Sequence, residues 1–424
     1  MDTSAVLGIP YRTRVIDEAL QEALQTAGAV VVEGPRACGK TMTALHAADS
    51  FVFLDDPIVE QQLEIAAASL LDGAPPRLLD EWQLAPELWN LVRRAVDRSA
   101  EPGRFILTGS AAPADDVTRH SGAGRFLRLR QRTLAWCERT DALQGPVSLT
   151  SLIAGQSVET DSHSIGFEEV TRRLVASGFP AMQGLSPQRQ RRSLDAYLTE
   201  IARTDVRGIA EVRHDPSVIR RLIAALARSS ASPVTFGVLA ADTAAVAPGI
   251  KDTTVAAYVT LLERLFVVDR QSAWTPQLRS RARLRSKDKL HLAEPSLAAV
   301  ALGADARRLS GDPETAGLLF ESAVFHDLSV LAERVGGEIR HYRDSNGREL
   351  DAVLVLPDGR WAAIEVKLGA GRIVSAAQSV AAAVAAIDIE AVGAPMFRLI
   401  VTGTGTTFTL DDGTVTVPLH RLGP

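Results

Sequence analysis

Cysteine and lysine are scarce in this chain of 424 residues. Two cysteines, Cys38 and Cys137, cannot staple a chain of this length. That excludes a disulfide scaffold and makes a reducing compartment the simplest setting. No apolar run approaches the ~18 residues of a membrane span, and the longest candidate, Ser379 to Ile387, stops at Asp388. The first residues, with Asp2, Arg12 and Arg14, lack the layout of a signal peptide. The expectation is a cytoplasmic protein with no membrane partner. A net charge of −5 excludes a globally basic nucleic-acid binder but not local basic patches. Lysine plus arginine number 46, yet the lysines are only Lys40, Lys251, Lys287, Lys289 and Lys367. Where arginine is the default cation, each lysine raises the question of why arginine was not used.

Hydrophobic residues at 46% and charged residues at 23% are those of an ordinary folded protein. At about 150 residues per domain the length allows roughly three units, or two with insertions. In residues 1–150, short apolar strands (Ala29–Glu33, Ser50–Asp55, Arg77–Asp80, Arg104–Thr108) alternate with helical stretches (Lys40–Ala48, Pro57–Leu71, Pro86–Arg98). Arg125 to Arg132 alternates as a half-exposed edge strand would. This pattern predicts α/β architecture, a parallel sheet covered on both faces. A polar linker, Gln156–Ser164, leads into a middle region, 165–290. Its pattern is helical to about Ala231, then a helix–turn–helix over Thr235–Asp242 and Lys251–Leu265, then a strand from Phe266. That order predicts a winged-helix unit. Residues 291–424 predict a small α/β domain, with a helix over Ala316–Val335 and two strands, Leu350–Leu356 and Trp361–Leu368, meeting at Pro357-Asp358-Gly359.

Lys40 lies in Gly34-Pro35-Arg36-Ala37-Cys38-Gly39-Lys40-Thr41, which fits G-x-x-x-x-G-K-[ST] between a buried strand and a helix. The glycines let backbone N–H groups face phosphate oxygens, and the helix N-terminus adds a favourable field. Lys40 would reach the β- and γ-phosphates, and Thr41 would offer its hydroxyl to Mg²⁺. Asp80 and Glu81 end the third strand. Asp80 would join the Mg²⁺ shell and Glu81 would polarise the attacking water. Thr108 and Ser110, at the next strand end, are either γ-phosphate sensors or members of a capped turn. Arg125 is a candidate arginine finger acting across a subunit interface, with Arg119, Arg128 and Arg130 as rivals. The only asparagines, Asn90 and Asn346, leave no Asn-Lys-x-Asp box for guanine, so ATP is the expected nucleotide.

Lys367 closes Glu365-Val366-Lys367. Period-two geometry puts Glu365 and Lys367 on one strand face, and a Pro-Asp-Gly hairpin with Gly359 left-handed places Asp351 opposite Glu365. Glu321, on the preceding helix, would add a third carboxylate. Such a set could bind Mg²⁺ or Mn²⁺ as in restriction-endonuclease cores, or be a strand face with a cross-strand salt bridge.

Arg279, Arg281, Arg283 and Arg285, continued in phase by Lys287 and Lys289, form a basic stripe suited to DNA or to a solvated edge. Lys251, Thr253 and Thr254 open the second helix of the helix–turn–helix, as a recognition helix or a spacer would. Cys38 occupies an x position of the loop where alkylation would hinder nucleotide binding. His46, His120 and His341 have no evident partners.

Gly34-Pro-Arg-x-x-Gly-Lys-Thr41, Asp80-Glu81-x-Gln83, Thr108-Gly-Ser110 and Gly124-Arg125 together resemble the bacterial and archaeal AAA-type ATPases. More narrowly, they resemble the group whose C-terminal half is labelled only a domain of unknown function. Phe320-Glu321, Arg348-Glu349-Leu350-Asp351 and Glu365-Val366-Lys367 match the motifs of that half. Two segments depart from the group, Arg132 to Glu138 and Arg203-Thr204-Asp205. The resemblance implies an ATPase domain, a winged-helix-like part and a restriction-endonuclease-like core. The leading expectation is a Mg²⁺-dependent ATPase coupled to its C-terminal half, with an ATP-gated nuclease or a homo-oligomeric, nucleotide-dependent binding switch as alternatives.

Overall fold

A computed structural model describes residues 1–99, 101–111, 122–139, 146–205, 215–276 and 287–424. The chain divides into two compact units. The first is Met1–Leu134 with Phe179–Ala181 and Arg264–Phe266, and the second is Ala135–Gly178, Met182–Glu263 and Val267–Pro424.

The first unit is built on five strands: β1 (Ala29–Glu33), β2 (Ser50–Phe53), β3 (Arg77–Asp80), β4 (Phe105–Gly109) and β5 (Phe126–Arg130). Helices α1 (Ile16–Thr26), α2 (Lys40–Ala47), α3 (Pro57–Ala66) and α4 (Leu88–Asp97) accompany them. The strands lie in the order β2-β3-β4-β1-β5, and every pairing is parallel. Alternation sends Ala29, Val31, Leu79, Phe105 and Leu107 into one core, and Val30, Val32, Leu78 and Ile106 into the core on the other face. Both faces are thus covered, which is why the strands read as continuous apolar runs. The edge strand β5 is half-exposed, as its alternating arginines predict. The helix expected over Pro57–Leu71 is α-helical only to Ala66 and continues as a 3-10 turn to Leu71, because Ala66 itself has an extended φ of −152°.

The second unit includes helices α5 (Phe167–Val175), α6 (Pro187–Glu200) and α7 (Pro216–Arg228). The helix–turn–helix follows as α8 (Phe236–Thr243) and α9 (Asp252–Arg264). Strands β6 (Val268–Gln271) and β7 (Lys289–Leu292) then pair antiparallel. In α9 the buried side is Val255, Val259 and Leu262, with Tyr258 and Leu261 only half-buried. Next come α10 (Pro295–Ala301), α11 (Pro313–Glu333), β8 (Glu338–Arg343), β9 (Glu349–Val355), β10 (Trp361–Lys367), α12 (Ile373–Ala385), β11 (Arg398–Thr402), β12 (Phe408–Thr409) and β13 (Val415–Pro418). The six strands form one mixed sheet, β12-β13-β11-β10-β9-β8. Among the described residues α11 alone has the length and composition to cross a membrane. Its apolar stretch is 78% buried within the protein, so a core position accounts for that composition.

Two details position the C-terminal cluster. The hairpin β9–β10 turns at Gly359, left-handed at φ +86°. Its register runs from Val355–Trp361 to Ala352–Ile364, and beyond it Asp351 Oδ2 accepts the Val366 N–H at 2.9 Å. On the other side, β9 slips against β8 between Leu350 and Val353, a β-bulge. Gln271 serves the disturbed ladder, since its Nε2 donates to the Arg340 carbonyl at 3.1 Å and to the Asp351 carbonyl at 2.8 Å.

Candidate functional site

The loop Gly34–Thr41 leaves the carboxyl end of β1. Asp80 and Glu81 leave that of β3, and Thr108 to Ser110 that of β4, which lies between β1 and β3. Three neighbouring strands therefore deliver their terminal residues to one end of the sheet, where open α/β sheets bind ligands. Gly34 is obligatory, since a Cβ there would fall 2.0 Å from the Gln131 carbonyl oxygen. Gly39 is left-handed at φ +100° and Ala37 at φ +61°, so the loop curls tightly between β1 and α2. Lys40 is 4% exposed, and its ammonium donates to the carbonyls of Gly34 (3.1 Å) and Pro35 (2.9 Å). Arg36 and Ala37 are exposed.

The Thr41 hydroxyl donates to Asp80, at 2.9 Å from Oδ1 and 3.2 Å from Oδ2. The Thr108 hydroxyl donates to the same Oδ1 at 2.5 Å and accepts the Glu81 N–H at 3.0 Å. Burial pushes the Asp80 carboxyl up to about 6, against the pull of the Thr108 and Thr41 hydrogen bonds. Glu81 has a left-handed backbone, φ +57°, unusual for a residue with a side chain. Its Oε2 accepts from the Ser110 hydroxyl at 2.8 Å and from the Gln83 amide. Thr108 and Ser110, open between two readings from sequence, thus hydrogen-bond Asp80 and Glu81 respectively. A hydroxyl beside a buried carboxylate is a donor set of the hard-oxygen kind that Mg²⁺ takes, so Thr41 and Asp80 fit that ion.

Sequence reasoning missed the supports of the loop. The Cys38 carbonyl accepts from Arg14 at 3.0 Å and Gln131 at 3.4 Å, and Gln131 also reaches Thr43 Oγ1 at 3.1 Å. His46 stacks on Tyr11 with ring centroids 4.1 Å apart. Nothing local marks Arg14 or Gln131, because their partners are backbone atoms 24 and 93 residues away. A charged donor on a carbonyl is worth about 1.5–3 kcal/mol. Arg14→Ala should therefore lower the melting temperature by a few degrees and weaken ATP binding about tenfold, read by calorimetry. Unchanged affinity would remove Arg14 from the site. The Cys38 thiol, at an x position of the loop, is fully buried, with Sγ 3.5 Å from the Gln131 carbonyl.

Arg125 stands at the start of β5, at the opposite end of the sheet from the loop, and its Nε meets Asp97 at 2.8 Å. Arg128 pairs with Glu33 at 2.7 Å, and the Arg130 guanidinium lies 3.9 Å from the centre of the Phe266 ring. Arg119, His120 and the four arginines Arg279, Arg281, Arg283 and Arg285 lie outside the described residues.

The C-terminal candidates do come together, around ammonium groups. Lys367 Nζ is 2.7 Å from Glu365 Oε1 and 3.8 Å from Asp351 Oδ2, and it donates to the Val366 carbonyl at 3.0 Å. Asp351 Oδ2 accepts the Val366 N–H at 2.9 Å. Lys289, placed in the basic stripe by sequence, is instead a buried residue of β7, 2.6 Å from Glu321 Oε1 and 4.0 Å from Asp351 Oδ1. The stripe fails there because a strand side chain that faces the core cannot also face a nucleic acid. Burial, reinforced by the Asp351 charge, pushes Glu321 and Glu365 each up to about 7. Burial works against the charge of Lys367, but the Asp351 and Glu365 carboxylates outweigh it and hold its pKa above the ordinary value. Among the described residues no group of three or more His, Cys, Asp or Glu side chains is arranged to hold a metal ion. The residues at this site do not fit the divalent ion that a nuclease core implies. His341, expected to lack a partner, has its Nε2 3.1 Å from the Lys287 carbonyl.

Residues 26–139 match the family model described as an AAA domain. Residues 167–308 match "Domain of unknown function (DUF8612)" and 316–422 "Domain of unknown function (DUF4143)". Two curated relatives, the uncharacterized proteins Rv2008c of Mycobacterium tuberculosis and Mb2031c of Mycobacterium bovis, are each 25% identical over 354 residues. The match covers 82% of this chain and 72% of each relative. Among solved structures, the Walker-type ATPase PABY2304 of Pyrococcus abyssi is similar over 69% of this chain and 96% of its own, at 11% identity and a TM-score of 0.40. The replication initiator DnaA bound to AMPPCP and single-stranded DNA is similar over 62% and 91%, at 14% identity and a TM-score of 0.27. The N-terminal part of the chain thus pairs a match to the AAA domain model with a parallel α/β sheet of the P-loop kind, followed by a helical middle and a small mixed α/β domain.

Proposed function

We propose that the chain is a Mg²⁺-dependent, cytoplasmic ATPase whose nucleotide state governs its C-terminal half. The observation that carries this reading is the convergence of Lys40, Thr41, Asp80 and Glu81 at one end of the parallel sheet. Backbone N–H groups of Gly34–Thr41 and the Lys40 ammonium bind the triphosphate. Thr41 and Asp80 would hold Mg²⁺, which supplies charge neutralisation at the β- and γ-phosphates. Glu81, oriented by Ser110 and Gln83, draws a proton from the attacking water. Arg125 acts as a finger from a second copy, which requires a homo-oligomer and release of its Asp97 partner. Turnover shifts the population of two states of the chain that differ in ATP affinity, which is how hydrolysis is read out.

Asp80 provides the test. Its folded-state carboxyl titrates near 6, above the ordinary 3.8, so its ionised form costs stability that is absent below about 4 and fully felt above about 6. A cation beside it relieves that cost. Mg²⁺-ATP binding should therefore weaken as pH falls below about 6, and binding near pH 6 should release a fraction of a proton. At pH 8 it should release none. Calorimetry in two buffers of different ionisation enthalpy reads both quantities. A flat trace at pH 8 on folded protein would overturn the proposed function.

A further inference from the structure

We propose that Lys289 is an internal cation that closes the C-terminal carboxylate cluster to divalent metal. Two ammonium groups flank Asp351. Lys289 lies on its Oδ1 side, bridging to Glu321, and Lys367 lies on its Oδ2 side, bridging to Glu365. A divalent ion shared by Glu321 and Asp351 needs oxygens at about 2.0–2.6 Å and several of them. The Lys289 ammonium, 2.6 Å from one carboxylate and 4.0 Å from the other, fills that space. Lys367 meanwhile engages the Val366 carbonyl at 3.0 Å.

Lys289 has nowhere else to put its charge. Its residue is 6% exposed on a strand whose partner, Gln271, is itself buried. Turning away would leave a buried, unpaired ammonium and an uncompensated Glu321, which a low-dielectric interior disfavours. Among the described residues, no hydrogen bond reaches Glu321 Oε2, Asp351 Oδ1 or Glu365 Oε2. Glu365 Oε2 is buried without a hydrogen-bond partner, on a residue only 5% exposed. These oxygens cannot gather a hard cation while two ammonium groups hold the space between the carboxylates. They mark where negative charge would accumulate once one of the ammonium groups is removed. Three carboxylates against two lysines leave one formal negative charge, and deleting Lys289 raises the excess to two. The domain is thereby a charge centre that works without metal, and a single lysine separates it from a metal site.

The test is a Mn²⁺ titration of the nucleotide-free full-length protein, followed by electron paramagnetic resonance of free Mn²⁺. Wild type should show no Mn²⁺ site that Asp351→Asn abolishes. Lys289→Met, which keeps the apolar stem, should gain one Mn²⁺ per chain at least tenfold tighter than any wild-type binding. Lys289→Met with Asp351→Asn should lose it again, and Lys289→Arg should behave as wild type. Should Lys289→Met fold poorly, Lys289→Gln carries the same expectation. The wild-type comparison with Asp351→Asn stands whatever those variants do. An Asp351-dependent Mn²⁺ site in wild type, or none in a folded Lys289→Met or Lys289→Gln, overturns the proposal.

Discussion

Lys40→Ala should lose at least about a hundredfold in ATP affinity, with turnover falling to background. Charge-assisted hydrogen bonds to phosphate are each worth about 1.5–3 kcal/mol, and two of them span two to four decades of affinity. The resting contacts of Lys40 with the Gly34 and Pro35 carbonyls reduce the net loss, because they must be given up on binding. The fold should survive, since those carbonyls lie in a loop that water reaches once the side chain is gone. Lys40→Arg should rescue little, for the 4% exposed stem leaves no room for a planar guanidinium. Retained ATP binding in folded Lys40→Ala would end the assignment of this loop.

Glu81→Gln should separate binding from chemistry. The amide is isosteric and can still accept from Ser110, so ATP affinity should stay within about threefold. Loss of a positioned base typically lowers kcat by 10²–10⁴. Single-turnover kinetics alongside equilibrium binding distinguish the outcomes. Equal loss of both would make Glu81 a structural residue whose left-handed backbone, rather than its carboxylate, matters. Wild-type turnover would move the base elsewhere.

The parallel sheet was legible because both of its faces are covered, which leaves runs such as Val30-Val31-Val32 with no polar interruption. The phosphate loop was legible because Gly34, Gly39 and Lys40 are each demanded by local geometry. The approach of Asp351 to the Glu365-Val366-Lys367 segment followed from one hairpin of known turn chemistry. What stayed hidden depends on distant partners. Arg14 and Gln131 act on a carbonyl far along the chain. Lys289 looked like the last member of a basic stripe, because alternation fixes which residues share a face but not whether that face is wet. Only the packing of β7 beside α11 turns its ammonium toward Glu321. The 3-10 ending after Ala66 has no sequence signal either, since alanine favours continued helix.

The slip between β9 and β8 limits how this domain can vary in length. Leu350 and Val353 both enter the core formed with Trp361 and Ala363, although residues three apart on an even strand face opposite ways. One surplus residue reconciles them. Removing it would restore regular phase and expel either the leucine or the valine into solvent, each costing about 1.5–3 kcal/mol. The Arg340 and Asp351 carbonyls would then no longer line up with the Gln271 amide. Single-residue deletions are thus excluded from this strand, while the exposed turn at Pro357–Gly359 is where the chain can absorb them.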